Sequence, residues 1–159
     1  MADDRRVITV TESIHVARAP ESVFDYTQDF ERRTEWDKDI AASTTVGQDP
    51  RSARVTIPNL GSMTVVYKLD RRPVRTSAAF EDVDSRWITG GGGSWEYEAV
   101  EGGTRWQQTN SLELKPGWLT RLFASRIEGS LRKATQRSMA EAKRRLEAEA
   151  TGNGGSTSR

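Results

Sequence analysis

Apolar residues recur along this chain at two spacings, and the switches between them mark out the elements. From Val7 to Ala17 the pattern alternates: Ile8, Val10, Glu12, Ile14 and Val16 share one face, and Thr9, Thr11, Ser13 and His15 the other, as in a half-buried strand. Pro20 then stands where a first helical turn begins, its missing N–H harmless there and Glu21 beside the positive end of the dipole. Val23, Phe24 and Thr27 form the buried stripe of a short helix, and a second short turn around Glu31 to Glu35 delivers Trp36. From about Asp39 the period returns to two. Ala53, Val55 and Ile57 share a face, as do Met63, Val65, Tyr67 and Leu69, then Thr76, Ala78 and Phe80, then Trp95, Tyr97 and Ala99. Turns are expected at Pro58-Asn59-Leu60-Gly61, at Arg71-Arg72-Pro73 and from Asp82 to Ser85. Trp87 opens a strand that the Gly90–Gly93 run disturbs. That run reads as a bulge or flexible rim and not as a phosphate loop, because no Lys-Ser/Thr follows it and strands lie on both sides.

Gly102-Gly103 is expected to be a two-residue hairpin turn, which sets Glu101 opposite Thr104, Ala99 opposite Trp106, Tyr97 opposite Gln108 and Trp95 opposite Asn110. Cross-strand partners share a face, so Trp95, Tyr97 and Trp106 point to one side with the amides of Gln108 and Asn110 among them. Beyond Pro116-Gly117 the period becomes helical. Leu119, Phe123, Ile127, Leu131, Ala134, Ser138, Ala142 and Leu146 trace one stripe of a long helix from Trp118 to about Ala150, with Arg126, Arg132, Lys133, Arg137, Lys143, Arg144 and Arg145 opposite. Strand, two short helices, a run of strands and a long helix make an α+β fold with an antiparallel sheet packed on one helix.

Composition narrows the chemistry. The 159 residues suit one domain over 7–150, with a loose charged start at 1–6 and a tail at 151–159 of disordered composition. The net charge of +1 hides a gradient, since ten Lys or Arg face four Asp or Glu from Lys115 onward. With no Cys and one His, a disulfide framework, a thiol nucleophile and the usual metal sites are not expected, and no cofactor is called for. No apolar run is long enough to span a membrane and the first residues lack a signal-peptide core, so a soluble cytoplasmic protein is the expectation.

The order of elements, with APESVF after the first strand, Asp29 and Trp36 closing the helical pair, Pro73 before a strand, the SWEYEAVEGGTRW hairpin and the closing amphipathic helix, resembles the START-like (SRPBCC) superfamily. It is most similar to the bacterial polyketide cyclase/dehydrase and lipid transport group, over residues 8 to 148. The resemblance implies a Bet v 1-like helix-grip fold: a curved seven-stranded sheet gripping the long helix around a cavity. It implies binding of lipids, quinones, polyketides or similar molecules, or in some members cyclase activity, and brings no family-wide catalytic motif.

The expected ligand-binding residues are Trp36, Val55, Ile57, Met63, Val65, Tyr67, Phe80, Trp95, Tyr97, Trp106, Gln108 and Asn110, with Leu119, Phe123, Ile127 and Leu131 from the helix. The first reading is a non-enzymatic binder that carries or senses a small hydrophobic or amphipathic molecule. The second is a cyclase-like enzyme, for which Tyr67, Tyr97 and Arg54 are the available actors, although Arg54 has the wrong parity to face inward. The third is an interaction module with a collapsed cavity. His15 is expected to face solvent, and the acids Asp25, Asp29, Glu31, Glu35, Asp37 and Asp39 to form a solvated surface on which Asp29 caps or braces the helix pair. The basic helix face lacks interleaved aromatics, so no nucleic-acid partner is expected. Trp118, Leu119, Leu122 and Phe123 beside Arg121 and Arg126 suit transient contact with an anionic membrane surface. The oligomeric state is left open.

Overall fold

A computed structural model describes residues 6–152. The strands are β1 (Arg6–Val16), β2 (Ala42–Gln48), β3 (Arg51–Ile57), β4 (Gly61–Arg71), β5 (Arg75–Asp84), β6 (Ile88–Val100) and β7 (Gly103–Leu114). They form one antiparallel seven-stranded sheet in the order β1-β7-β6-β5-β4-β3-β2. Between β1 and β2 lie α1 (Pro20–Thr27), a 3-10 turn (Phe30–Arg32) and α2 (Arg33–Trp36); α3 (Trp118–Gly152) closes the chain. This is the helix-grip architecture. Arg6 already belongs to β1 and α3 runs through Thr151 and Gly152, so the ordered part is slightly longer than composition indicates; the rest of the charged start and of the tail lies outside the described residues.

Local chemistry accounts for the element boundaries. Pro20 occupies the first turn of α1 with Glu21 beside it. Asp29 caps the 3-10 turn, its Oδ1 accepting from the Glu31 amide at 3.0 Å. Gly117 ends the last connection, and Thr120 Oγ1 donates to the carbonyls of Lys115 and Gly117 at 2.7 and 2.9 Å, pinning the first turn of α3.

Three expectations are corrected. The β6–β7 turn is Glu101-Gly102, and Val100 pairs with Gly103. Gly102 takes the left-handed φ of 77° that the turn requires, while Gly103 lies against β1, where a Cβ would come within 2.1 Å of the Val16 carbonyl. The observed pairs, Tyr97 with Trp106 and Trp95 with Gln108, are two residues from the expected register. A slip of two preserves parity, so the three aromatics and both amides still share the concave face. Secondly, Asp82–Asp84 continues β5, with Asp82 at φ 47°, and the turn is displaced to Ser85, whose Oγ accepts from the amides of Trp87 and Ile88. Thirdly, β6 opens at Ile88 and not at Trp87; the glycine run lies within it, and the register shift between Ile88 and Gly90 is the bulge expected there. A Cβ at Gly92 would lie 2.3 Å from the Ala78 carbonyl, so strand β5 passes too close for a side chain there.

The core divides the concave face in two. At one end α1, the 3-10 turn and α2 drive Val23, Phe24, Phe30 and Trp36 onto the sheet. Trp36 meets Trp106 edge-on at 5.8 Å, Trp106 stacks on Tyr97 at 6.3 Å, and Phe24 meets Tyr97 at 5.2 Å. The C-terminal half of α3 buries Ser138, Met139, Ala142 and Leu146, and small residues in that set let it lie close to β1 and the short helices. The first half buries only Thr120, Ala124 and Thr135 and leaves Phe123, Ile127 and Leu131 partly covered. The helix therefore stands away from the far end of the sheet.

Trp106 is fully buried within the aromatic block. Trp106→Ala is expected to lower stability by about 3–5 kcal/mol, read as a drop in the urea midpoint; a change below about 1 kcal/mol would show that the block is not a structural unit.

Candidate functional site

Where the helix and the sheet diverge they enclose a cavity of about 610 Å³. Val55 and Ile57 from β3, Met63 and Val65 from β4, Phe80 from β5, Trp95 from β6 and Gln108 and Asn110 from β7 form its sheet wall, with Phe123, Ile127 and Leu131 of α3 opposite. All of these were expected from strand parity and helical spacing. Trp36, Tyr67, Tyr97 and Trp106 are buried but sit outside the cavity wall, in the closed end. Leu119 is 45% exposed and also outside it, because pinning Thr120 turns Thr120 and Ala124 inward and the Trp118-Leu119 edge outward.

Several lining residues escaped the sequence reading. Leu112 continues the Gln108–Asn110 parity and was legible from it. Phe30, Ile40, Leu60 and Trp87 sit at element ends, where periodicity carries no signal. Asp37 was read as solvated surface, but it lines the cavity beside Arg33, the two side chains only 12% exposed and paired at 3.1 Å. Their i, i+4 spacing around Trp36 was the available signal, and the Arg33 guanidinium lies 4.3 Å from the Trp36 ring centroid. Asp39 also reaches the wall and meets Arg137 of α3 at 3.3 Å. The other acids behave as expected: Asp25 pairs with Arg72 at the surface, and Glu31 and Glu35 are held by the Thr45 amide and Arg32. His15 is exposed. Arg54 stays on the outer face, donating to Thr64 Oγ1 and the Asp82 carbonyl.

The polar groups fall into two systems. In the closed end, Tyr67 donates to Gln28 Oε1, which also accepts from Thr76 Oγ1 at 3.3 Å, and Gln28 Nε2 donates to Tyr97 Oη at 2.5 Å. Thr27 gives its proton to the Val23 carbonyl at 2.8 Å, so the Tyr97 hydroxyl donates to Thr27 Oγ1 at 2.6 Å. In the cavity, Thr135 donates to the Leu131 carbonyl at 2.8 Å and accepts from Asn110 Nδ2 at 2.9 Å, and Asn110 Oδ1 accepts from Gln108 Nε2 at 3.2 Å. Gln108 Oε1 and Trp95 Nε1 are buried with no protein partner among the described residues. Each such group costs about 1–3 kcal/mol unless something else satisfies it.

Burial pushes the Tyr67 hydroxyl up to about 12 and raises Tyr97 further. Burial, with a hydrogen bond to Glu35, pushes Tyr26 up to about 12 as well. Neither Tyr67 nor Tyr97, the expected acid–base actors, lines the cavity, and both hydroxyl protons are committed. Among the described residues no cluster of metal-ligating side chains occurs, and no helix is long and apolar enough to cross a membrane.

The sequence from 7 to 150 matches the family model described as polyketide cyclase/dehydrase and lipid transport. The chain belongs to that family. Membership implies hydrophobic ligand binding or polyketide cyclase activity. Among solved structures, the family member described here is similar to the ZhuI aromatase/cyclase of Streptomyces sp. R1128, with a TM-score of 0.81 and 12% identity over 95% of this chain and 100% of that one. It is also similar to Ara h 8.0201, with a TM-score of 0.67 and 12% identity over 90% and 99% of the two chains. A START superfamily protein from Mycobacterium smegmatis gives a TM-score of 0.62 at 15% identity over 89% and 98%. At such identities the likeness is one of fold. No curated protein matches the sequence.

The raised tyrosines have a consequence at high pH. Their ordinary value is 10.0, so below it folded and unfolded chains alike keep the phenols protonated. Above it the unfolded chain releases protons first, and stability falls as pH rises toward 12. Tyrosinate absorbance of the native protein is expected to stay flat through pH 10 and to rise only with unfolding; a reversible native titration near 10 would contradict this burial.

Proposed function

We propose that this family member carries or senses a small hydrophobic or amphipathic molecule, of the lipid, quinone or polyketide kind, held in the cavity between α3 and the sheet. The observation that carries this reading is the cavity of about 610 Å³, walled mainly by apolar side chains with a few polar groups. Such sites usually measure about 300–1,000 Å³, and an open space of this size favours a binder over a module with a collapsed interior. Affinity would come from apolar burial at roughly 25 cal/mol per Å², less the entropy of association. The cyclase reading has one observation in its favour, an ionisable pair at the cavity wall, Arg33 with Asp37. It is weakened by the commitment of both buried phenols to α1.

Native mass spectrometry of the protein, as purified and after incubation with a lipid extract, is expected to show an adduct that is lost on denaturation. Ala134 lines the cavity from α3, so Ala134→Trp is expected to abolish the adduct while keeping the melting temperature within a few degrees. An adduct that survives this filling of the space would place the ligand elsewhere.

Loading is proposed to occur at an anionic membrane surface. Trp118, Leu119 and Leu122 are 73%, 45% and 66% exposed at the start of α3. They stand beside exposed Lys115 and Arg126, and Arg126 also lines the cavity. Apolar groups flanked by cations suit the interface of an anionic bilayer. Co-sedimentation with phosphatidylglycerol vesicles at low salt is expected, with loss of most binding in a Trp118→Ser, Leu122→Ser double variant. Recovery of the native protein in the supernatant would remove this route.

A further inference from the structure

The cavity meets solvent along one edge of α3. Arg126, Ser130 and Arg137 all line it and are all exposed, and their spacing puts them on one side of the helix. Pro58 and Asn59 of the β3–β4 turn line it from the sheet and are exposed as well. The mouth therefore runs between that edge of α3 and the turn, while Ile127, Leu131 and Thr135, on the neighbouring side of the helix, are partly or fully buried.

Five ionisable side chains line the cavity, with Arg33, Arg126 and Arg137 set against Asp37 and Asp39. Both carboxylates are taken. Asp37 accepts from Arg33 Nε and Nη2 at 3.2 and 3.1 Å, and both oxygens of Asp39 accept from Arg137 Nη2 at 3.3 Å. Arg126 has no ion pair or hydrogen bond with any other described residue. The polar corner deeper in the cavity, made by Gln108, Asn110 and Thr135, is neutral. The wall thus carries one uncompensated positive charge, and that charge stands at the mouth.

We propose that the ligand is an amphipathic carboxylic acid, its apolar body inside the cavity and its carboxylate at the mouth against Arg126, an inference that rests on the ligand-binding reading above. A carboxylate drawn down to the apolar wall would lose its water with no free cation to meet it, since Arg33 is committed to Asp37. At the mouth it keeps part of its hydration and gains a guanidinium, whose fork of N–H donors matches two carboxylate oxygens. Ser130 stands one turn along the same edge and offers a hydroxyl beside Arg126. One free positive charge suits one negative charge, which a carboxylate carries and a phosphate monoester exceeds. A cationic head would be repelled there, and a neutral one would gain nothing from the charge.

The test compares pyrenebutanoate, pyrenebutanol and pyrenebutylamine by titration of their own fluorescence, since the three share one apolar body and differ in the charge of the head. At low salt the acid is expected to bind about fivefold more tightly than the alcohol, the upper range for one exposed ion pair, with the amine weakest. High salt is expected to shrink that advantage. Arg126→Gln is expected to bring acid and alcohol to one affinity, and Arg126→Glu to set the amine above the acid. Arg126 is exposed, so neither change threatens the fold. Lys133→Gln, which removes an exposed cation of the same helix outside the cavity wall, is expected to leave the preference in place. Equal affinity of the native protein for acid and alcohol would overturn the carboxylate assignment and leave the cavity reading standing. Binding of none of the three would overturn both. A preference that persists in Arg126→Gln, or that Lys133→Gln abolishes as fully, would overturn the role of Arg126.

Discussion

The carboxamide of Gln28, held between the phenols of Tyr67 and Tyr97, is the contact on which the rest of this structure turns. It joins the end of α1 to β4 and β6 through groups that are all buried, and the backbone carbonyl of Gln28 accepts from Arg51 Nη1 on β3 at 2.8 Å. A short helix of eight residues has little stability of its own. Tied at this point, it can press Val23 and Phe24 into the sheet and bring Phe30 and Trp36 after them. The Gln28 carboxamide and both phenols have partners inside the protein, so hydrogen bonds as well as apolar fit specify this anchor.

The two halves of the interior follow from that anchoring. With one end filled by the aromatic block, α3 rests on it through a close-packed C-terminal half and extends past it. The N-terminal half buries only Thr120, Ala124 and Thr135 and faces the sheet across the cavity. The space between remains open to a ligand. The glycines of β6 contribute by letting β5, β6 and β7 approach where side chains would obstruct them: a Cβ at Gly93 would lie 3.2 Å from the Trp95 ring and 3.3 Å from Asn110 Oδ1. The polar corner of the cavity thus depends on a position without a side chain.

The charge gradient along the chain is largely met within the fold. Arg132 of α3 pairs with Glu12 of β1 at 2.7 Å, Arg137 with Asp39 at 3.3 Å, and Arg32 with Glu149 at 3.5 Å. Lys143 donates to the His15 carbonyl and Glu147 accepts from the Ala17 amide. These exposed or half-exposed contacts add little stability singly. They do orient the basic helix over β1 and the acidic turns, and they account for much of its basic face without an external partner.

By itself the sequence determined the alternation of the strands, the stripe of α3 and the shared face of Trp95, Tyr97, Trp106, Gln108 and Asn110, because these depend only on periods of two and 3.6 residues. Parity tolerated the two-residue slip at the β6–β7 turn; the exact pairing did not, since Gly103 was claimed by close packing on β1. The start of α3 shows the limit of helical spacing: Leu119 and Thr120 both fit a stripe, and a side-chain bond to the Lys115 and Gly117 carbonyls selected Thr120. Only the tertiary structure decided which aromatics fill the core and which line the cavity. Tyr67 and Trp95 carry the same inward signal, yet α1 covers one and the diverging helix leaves the other at the wall. That choice rests on where the short helices dock, a long-range contact made through Gln28, and no local pattern encodes it.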